Sequence, residues 1–255
     1  MTQRQKIRLL FSLTFLAGLV ILIIGAIRTD NMVCTGVRVR LQDSNNYLVD
    51  SNYVKHKIVK MLGRSPKGMK IKDLNLQKIE DDLYRLPYIK HAEVYTDRHG
   101  IMYVDIWQTK PIVKVITNDR TFYIDHSGDI YLAQRGRPYY ALVASGNIDA
   151  SGSLLGDGLD SNKTLKDIYT LAQYINSDKF WKTNIVQIYV NSEGEYELIP
   201  RVGDFRIILG TLEDFEKKFR NLRAFYDNLS KLGWDKYSVI NLSYKNQIVA
   251  VKKTI

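Results

Sequence analysis

The chain opens on an unbroken apolar run and only later settles into alternating and helical spacings. Leu9 to Ile27 is 19 residues without a charged side chain. At ~1.5 Å of rise per residue it reaches about 28 Å, close to the ~30 Å hydrocarbon core of a bilayer, and predicts a transmembrane helix over 9–27. Arg4, Lys6 and Arg8 precede the run, while Arg28 and Asp30 nearly cancel behind it. The positive-inside bias then predicts a cytoplasmic tail over 1–8 and an extracytoplasmic remainder, as in a single-pass protein of a bacterial inner membrane. A cleaved signal peptide would have a shorter apolar region followed by a small-x-small site, which Gly25-Ala26-Ile27 does not supply.

Beyond the run, Val37, Val39 and Leu41 alternate with Arg38, Arg40 and Gln42, the pattern of a half-buried strand. Ser51 is placed to cap a helix with Val54, Ile58 and Met61 on one face and Gly63 at its end. Asn75 is placed to cap a second helix carrying Leu76, Ile79, Leu83 and Leu86, which Pro87 stops. Ala92 and Val94 then share one side of a strand. Asp97-Arg98-His99-Gly100 is a turn, and Met102, Val104 and Ile106 alternate with Tyr103, Asp105 and Trp107 on the return. Two helices on one face of three strands make a small α+β domain over 33–109.

After Lys110-Pro111 the pattern becomes β-rich through 255. Strands are expected at 113–117, in a hairpin over 122–132 around Asp125-His126-Ser127-Gly128, and at 139–144. Residues 146–161 read as a Gly, Ser and Asp-rich loop, and Leu165, Ile168, Ala172 and Ile175 mark a helix. Strands at 185–190 and 196–200 flank a turn at 191–194, and another spans 205–209. Thr211 with Asp214 forms a weak capping box ahead of Phe215, Phe219, Leu222, Tyr226 and Leu229, a helix closed by Gly233. The chain then runs through Ser238–Ser243, a polar stretch over 244–247, and an apolar, β-prone segment from Ile248 to Lys252. A terminal strand of that kind often lies at a sheet edge with unpaired backbone groups. The fold class expected is therefore α+β: one membrane helix, a β-α-α-β-β domain, and a β-rich domain with packed helices.

Composition adds limits. With 45% hydrophobic and 25% charged residues the chain is foldable rather than disordered. Cys34, the single cysteine, permits no intrachain disulfide, and Asn31-Met32-Val33 lacks the small residue a lipoprotein cleavage site needs. The net charge of +10 could suit nucleic acid, but the basic residues are scattered without a stripe, and attraction to anionic headgroups beside the apolar run explains it as well; no nucleic-acid partner is expected. Gly63 to Gly68 has the spacing of a phosphate loop, but Met69-Lys70 follows where Lys and Ser/Thr are required. His56, His91, His99 and His126 have no metal-ligand spacing. Asp125 and Asp129 could form an acidic pair, although hairpin-turn residues are the stronger reading. No enzyme, cofactor, metal or small-molecule substrate is expected.

The order of these features carries a resemblance. Leu83-Tyr84-Arg85-Leu86-Pro87-Tyr88-Ile89-Lys90-His91-Ala92-Glu93-Val94 resembles the stretch L-x-x-x-P-[WF]-[VI]-x-x-A-x-V of the FtsQ/DivIB bacterial cell-division family. Ile106 to Ile112 is similar to the segment leading out of that family's POTRA module. Phe122 to Gly128 resembles its x-x-[YL]-[IV]-D-x-x-G hairpin, and Tyr237 to Gln247 its C-terminal [VI]-[DN]-[LM]-x-Y region. Two departures stand out. Ser243 occupies the place of a frequent Arg, and Gln42-Asp43 lacks the Gly that commonly ends the first POTRA strand. The resemblance implies a non-catalytic scaffold of septation that recruits FtsB/DivIC-like and FtsL-like partners, with the partner adding a strand to the last strand of the β domain. It implies partner-binding residues among Tyr244, Lys245, Asn246, Gln247, Ile248, Val249, Ala250 and Val251, with Tyr244, Ile248 and Ala250 foremost. Ile248 and Val249 fit core-filling roles equally well. The alternative is a POTRA-containing component of envelope assembly or secretion.

Overall fold

The structure, a computed structural model, describes residues 15–17, 19–20, 32–42, 48–133, 139–150, 158–233, 236–245 and 247–253, with the side chains of 229–232 excepted. It corrects the membrane reading. Among the described residues no helix is long and apolar enough to cross a membrane. Of the expected span over 9–27 only residues 15–17 and 19–20 are described, as helix, and the remainder lies outside the described residues. The single-pass, inner-membrane topology with its cytoplasmic N-terminus is not carried forward. The chain divides into two compact units, residues 1–109 and 110–255.

In the smaller unit β1 (Gly36–Gln42) is followed by helices α1 (Ser51–Leu62) and α2 (Leu76–Tyr84), then by β2 (Ile89–Thr96) and β3 (Ile101–Gln108). The sheet order is β1-β3-β2, with β1 parallel to β3 and β2 antiparallel to it. Alternation explains the packing: Met102, Val104 and Ile106 are fully buried, and Val54, Ile58, Ile79 and Leu83 of the helices are buried with them. The cap of α1 is Asp50 rather than Ser51, because the Asp50 carboxylate accepts the Tyr53 N–H at 2.7 Å. Asn75 caps α2 by accepting from Lys78 N–H at 2.9 Å. On the opposite face the register sets Arg40 beside Asp105, which it pairs, and Arg40 also bonds the Tyr95 hydroxyl. Tyr95 and Tyr103 stack at 5.4 Å there.

The larger unit is built on one nine-stranded sheet, in the order β12-β11-β10-β9-β8-β7-β4-β5-β6. Its strands are β4 (Pro111–Ile116), β5 (Thr121–Asp125), β6 (Ile130–Leu132), β7 (Leu142–Gly146), β8 (Ile185–Val190), β9 (Tyr196–Pro200), β10 (Arg206–Gly210), β11 (Tyr237–Asn241) and β12 (Val249–Lys252). Helices α3 (Lys163–Ser177), α4 (Lys179–Asn184) and α5 (Phe215–Leu232) share one core with it. Leu165, Ile168 and Leu171 of α3, Trp181 of α4, and Phe219 and Leu222 of α5 are buried against Val113, Ile188, Leu198 and Ile207 of the strands.

Three local differences from the expected pattern have identifiable causes. The strand expected at 139–144 starts at Leu142, because Tyr139 is held by side-chain bonding instead of the ladder. Its N–H donates to the Tyr123 hydroxyl at 3.0 Å, and the two rings meet edge-on. Helix α4 has no apolar period long enough to announce it. Asp178 breaks the helical run after Ser177 and recaps it, accepting from Phe180 and Trp181 N–H. The capping box expected at Thr211 does not form, and α5 begins at Phe215 after a tight turn in which Asp214 has φ 51°. Gly146, at φ 106°, ends β7 where a Cβ would lie 2.1 Å from the Val190 carbonyl oxygen, so no other residue fits there without displacing β8.

Candidate partner-binding site

The C-terminal corner of the large sheet is assembled by a crossover. β10 leads through the turn at 211–214 into α5, and α5 returns the chain to β11, which lies parallel to β10. The connector that follows is pinned at its start. Leu242 N–H donates to the Ile208 carbonyl at 2.8 Å, and the Asn241 side chain accepts from both the N–H and the hydroxyl of Ser243. β12 then pairs antiparallel with β11 and, among the described residues, has no second neighbour in the sheet. Ser238 and Lys253 add bonds across the pair, the first to the Val251 carbonyl and the second to that of Lys236.

The expected binding residues fall into two groups. Tyr244, Lys245, Gln247 and Ile248 line a small cavity of about 120 Å³ between the connector and the start of α5. Tyr244 is 52% exposed, Lys245 and Gln247 are exposed, and Ile248 is half-buried against the core. Val249, Ala250 and Val251 form the border strand itself, with Val249 and Val251 exposed and Ala250 half-buried. Asn246 lies outside the described residues.

No local spacing points to the opposite wall, which comes from Thr211, Asp214, Lys217 and Lys218. Lys218 ties the turn to the end of β10, since its Nζ donates to the Leu209 carbonyl at 3.0 Å and the Thr211 carbonyl at 2.8 Å. Burial of this ammonium holds its pKa below the ordinary lysine value. The Asp214 carbonyl accepts from Lys217 and Lys218 N–H, which closes the first turn of the helix. These residues meet the connector only through the crossover, a contact no local spacing reports.

The chemistry available here is that of recognition. An exposed strand offers its outward N–H and C=O groups, apolar side chains alternate along it, and a polar-walled cavity sits at its start. The Asp125 and Asp129 pair proves to be turn geometry, because Asp125 Oδ1 accepts from Ser127 and Asp129 N–H at 2.8 and 3.1 Å. Among the described residues no group of three His, Cys, Asp or Glu side chains could hold a metal ion.

Residues 110–251 match the family model described as FtsQ/DivIB, C-terminal related, and residues 32–107 match that of a POTRA-like domain. The chain belongs to the FtsQ/DivIB-related family. Members of this family are non-catalytic, and the chain is not an enzyme. No curated protein matches it closely enough to transfer a partner set. The FtsB/DivIC-like and FtsL-like partners implied by the resemblance are therefore withdrawn, along with the single membrane span.

Proposed function

We propose that this chain is a non-catalytic scaffold of bacterial cell division that captures an extended segment of a partner protein along β12. The observation that carries the reading is the position of β12 at the border of the sheet, bonded among the described residues to β11 alone, with Val249 and Val251 facing solvent. A guest strand would complete the backbone ladder there, and its alternate side chains would meet Val249, Ala250 and Val251. Tyr244 and Ile248, at the mouth of the adjoining cavity, would receive an anchoring side chain of the same guest. Family membership supports the scaffold role.

Complementation of cells depleted of this protein tests the reading. Ala250→Pro removes an outward backbone donor from the border, since Val251 and Lys253 turn their backbone groups to β11, and Val249→Lys with Val251→Lys keeps the backbone while charging it. Both variants are expected to accumulate and melt like the parent yet leave cells as filaments. Cells of normal length carrying either folded variant would refute strand capture at this border.

A further inference from the structure

β4, β7 and β8 run parallel to one another, so their first residues gather at one end of the sheet. Pro111, Leu142 and Ile185 there floor a cavity of about 330 Å³, entirely within the larger unit. Its rim is Lys182 of α4, Arg201 just past β9, and the pair Tyr139 and Tyr140 ahead of β7.

The charge of this cavity is one-sided. No carboxylate lines it, and neither Lys182 nor Arg201 forms an ion pair among the described residues. Arg201 is nonetheless fixed, because its Nε donates to the Thr183 carbonyl and its backbone N–H to that of Asn184, each at 2.7 Å. The two terminal guanidinium nitrogens are left for a ligand, in the fork that matches a carboxylate. Asn176 spends its amide hydrogens on the Ile112 and Ala172 carbonyls, so its own oxygen is an acceptor. Tyr139 is anchored to Tyr123, whereas Tyr140 stands 83% exposed.

We propose that this cavity is a second docking site, which takes an acidic segment of a partner protein. A carboxylate of the segment would lie on Lys182 and Arg201, and Tyr140 would cover it. Three observations select this occupant. The rim pairs cations that lack counter-charges with exposed tyrosine, and Arg and Tyr are residue types that dominate protein interfaces. The volume suits one or two side chains, being at the lower end of the ~300–1,000 Å³ of small-ligand pockets. A concave site with two cations lacks the protruding apolar face of a membrane binder and the basic stripe of a nucleic-acid binder. Four strand spacings separate β8 from β12, about 19 Å at ~4.8 Å each. Both sites can therefore be filled at once, and this proposal stands whether or not β12 accepts a strand.

Fluorescence anisotropy on the full chain tests it, with a labelled, acetylated decapeptide of alternating Glu and Leu as probe and its Gln-for-Glu counterpart as control. The Glu peptide is expected to bind at least tenfold more tightly than the Gln peptide. Lys182→Glu with Arg201→Glu should weaken it at least tenfold, Lys182→Gln with Arg201→Gln severalfold, and Tyr140→Ala severalfold. The charge-matched change Arg64→Glu with Lys67→Glu and the border change Ala250→Pro should leave it intact. Equal affinity for the two peptides would overturn the proposal. So would binding that survives both double variants, an equal loss in the Arg64 and Lys67 variant, or binding only to vesicles of anionic phospholipid through the same residues.

Discussion

At one end of the nine-stranded sheet β6 is three residues long, its central Tyr131 is buried beside Tyr123, and Ala133 N–H returns a bond to the Thr121 carbonyl. At the other end β12 is four residues long and shows Val249 and Val251 to solvent. Among the described residues each strand has a single neighbour, so the number of neighbours does not separate the two borders. What separates them is where the side chains go. β6 buries its central Tyr131 although Leu132 stays exposed, while β12 buries none of its side chains and leaves Val249 and Val251 outside beside outward backbone groups. A border of the second kind, flanked by a cavity, persists at a risk of unwanted pairing and so points to a use.

Energetics can break or sharpen this contrast. The largest effect is expected at the closed border, where Tyr131→Ala empties packed space against Tyr123 and should cost about 3 kcal/mol in urea unfolding. A loss below about 1 kcal/mol would mean that packing does not close β6. Val251→Ala at the open border should change stability by no more than about 0.5 kcal/mol, since its side chain is half exposed. A cost comparable to that of Tyr131→Ala would show β12 to be part of the core instead. The smallest effect is graded with pH and belongs to the β5–β6 turn. Burial, and secondarily the nearby Asp129, hold the Asp125 carboxyl above its ordinary value of 3.8. Because the folded pKa exceeds the unfolded one, the associated stability is complete below the unfolded value and disappears as pH rises through the folded value. Thermal melts of the parent relative to Asp125→Asn should therefore show the parent losing ground between about pH 3 and 6. A flat or opposite trend would remove burial of the charge as the dominant influence.

Much of the architecture was readable in advance because burial writes a period into the chain. Met102, Val104 and Ile106 alternate and are all fully buried, and Phe219, Leu222 and Tyr226 step by helical spacing onto the core. Boundaries set by single side chains were harder to read. Asp50 took the cap from Ser51, Asp178 restarted a helix, and Lys218 claimed the Thr211 carbonyl in place of the expected capping box. The corner at β12 was half readable: Tyr244 to Val251 follow from local pattern and resemblance, while Thr211, Asp214 and Lys218 arrive through the α5 crossover. The rim of Lys182, Arg201 and Tyr140 comes from three separate segments, and no periodicity links them.

The parallel pairing of β1 with β3 has its own consequence for how the smaller unit assembles. Gly36 lies opposite Ile101, a span of chain that contains both helices and β2, whereas β2 and β3 meet across the short Asp97 turn. Closing the longer loop costs more entropy, and its reward comes only after the hairpin exists to receive it. Loop length therefore predicts that the hairpin and its helices form first and that the strand bearing Arg38 and Arg40 docks last, which would show as faster amide exchange in β1 than in β2 and β3.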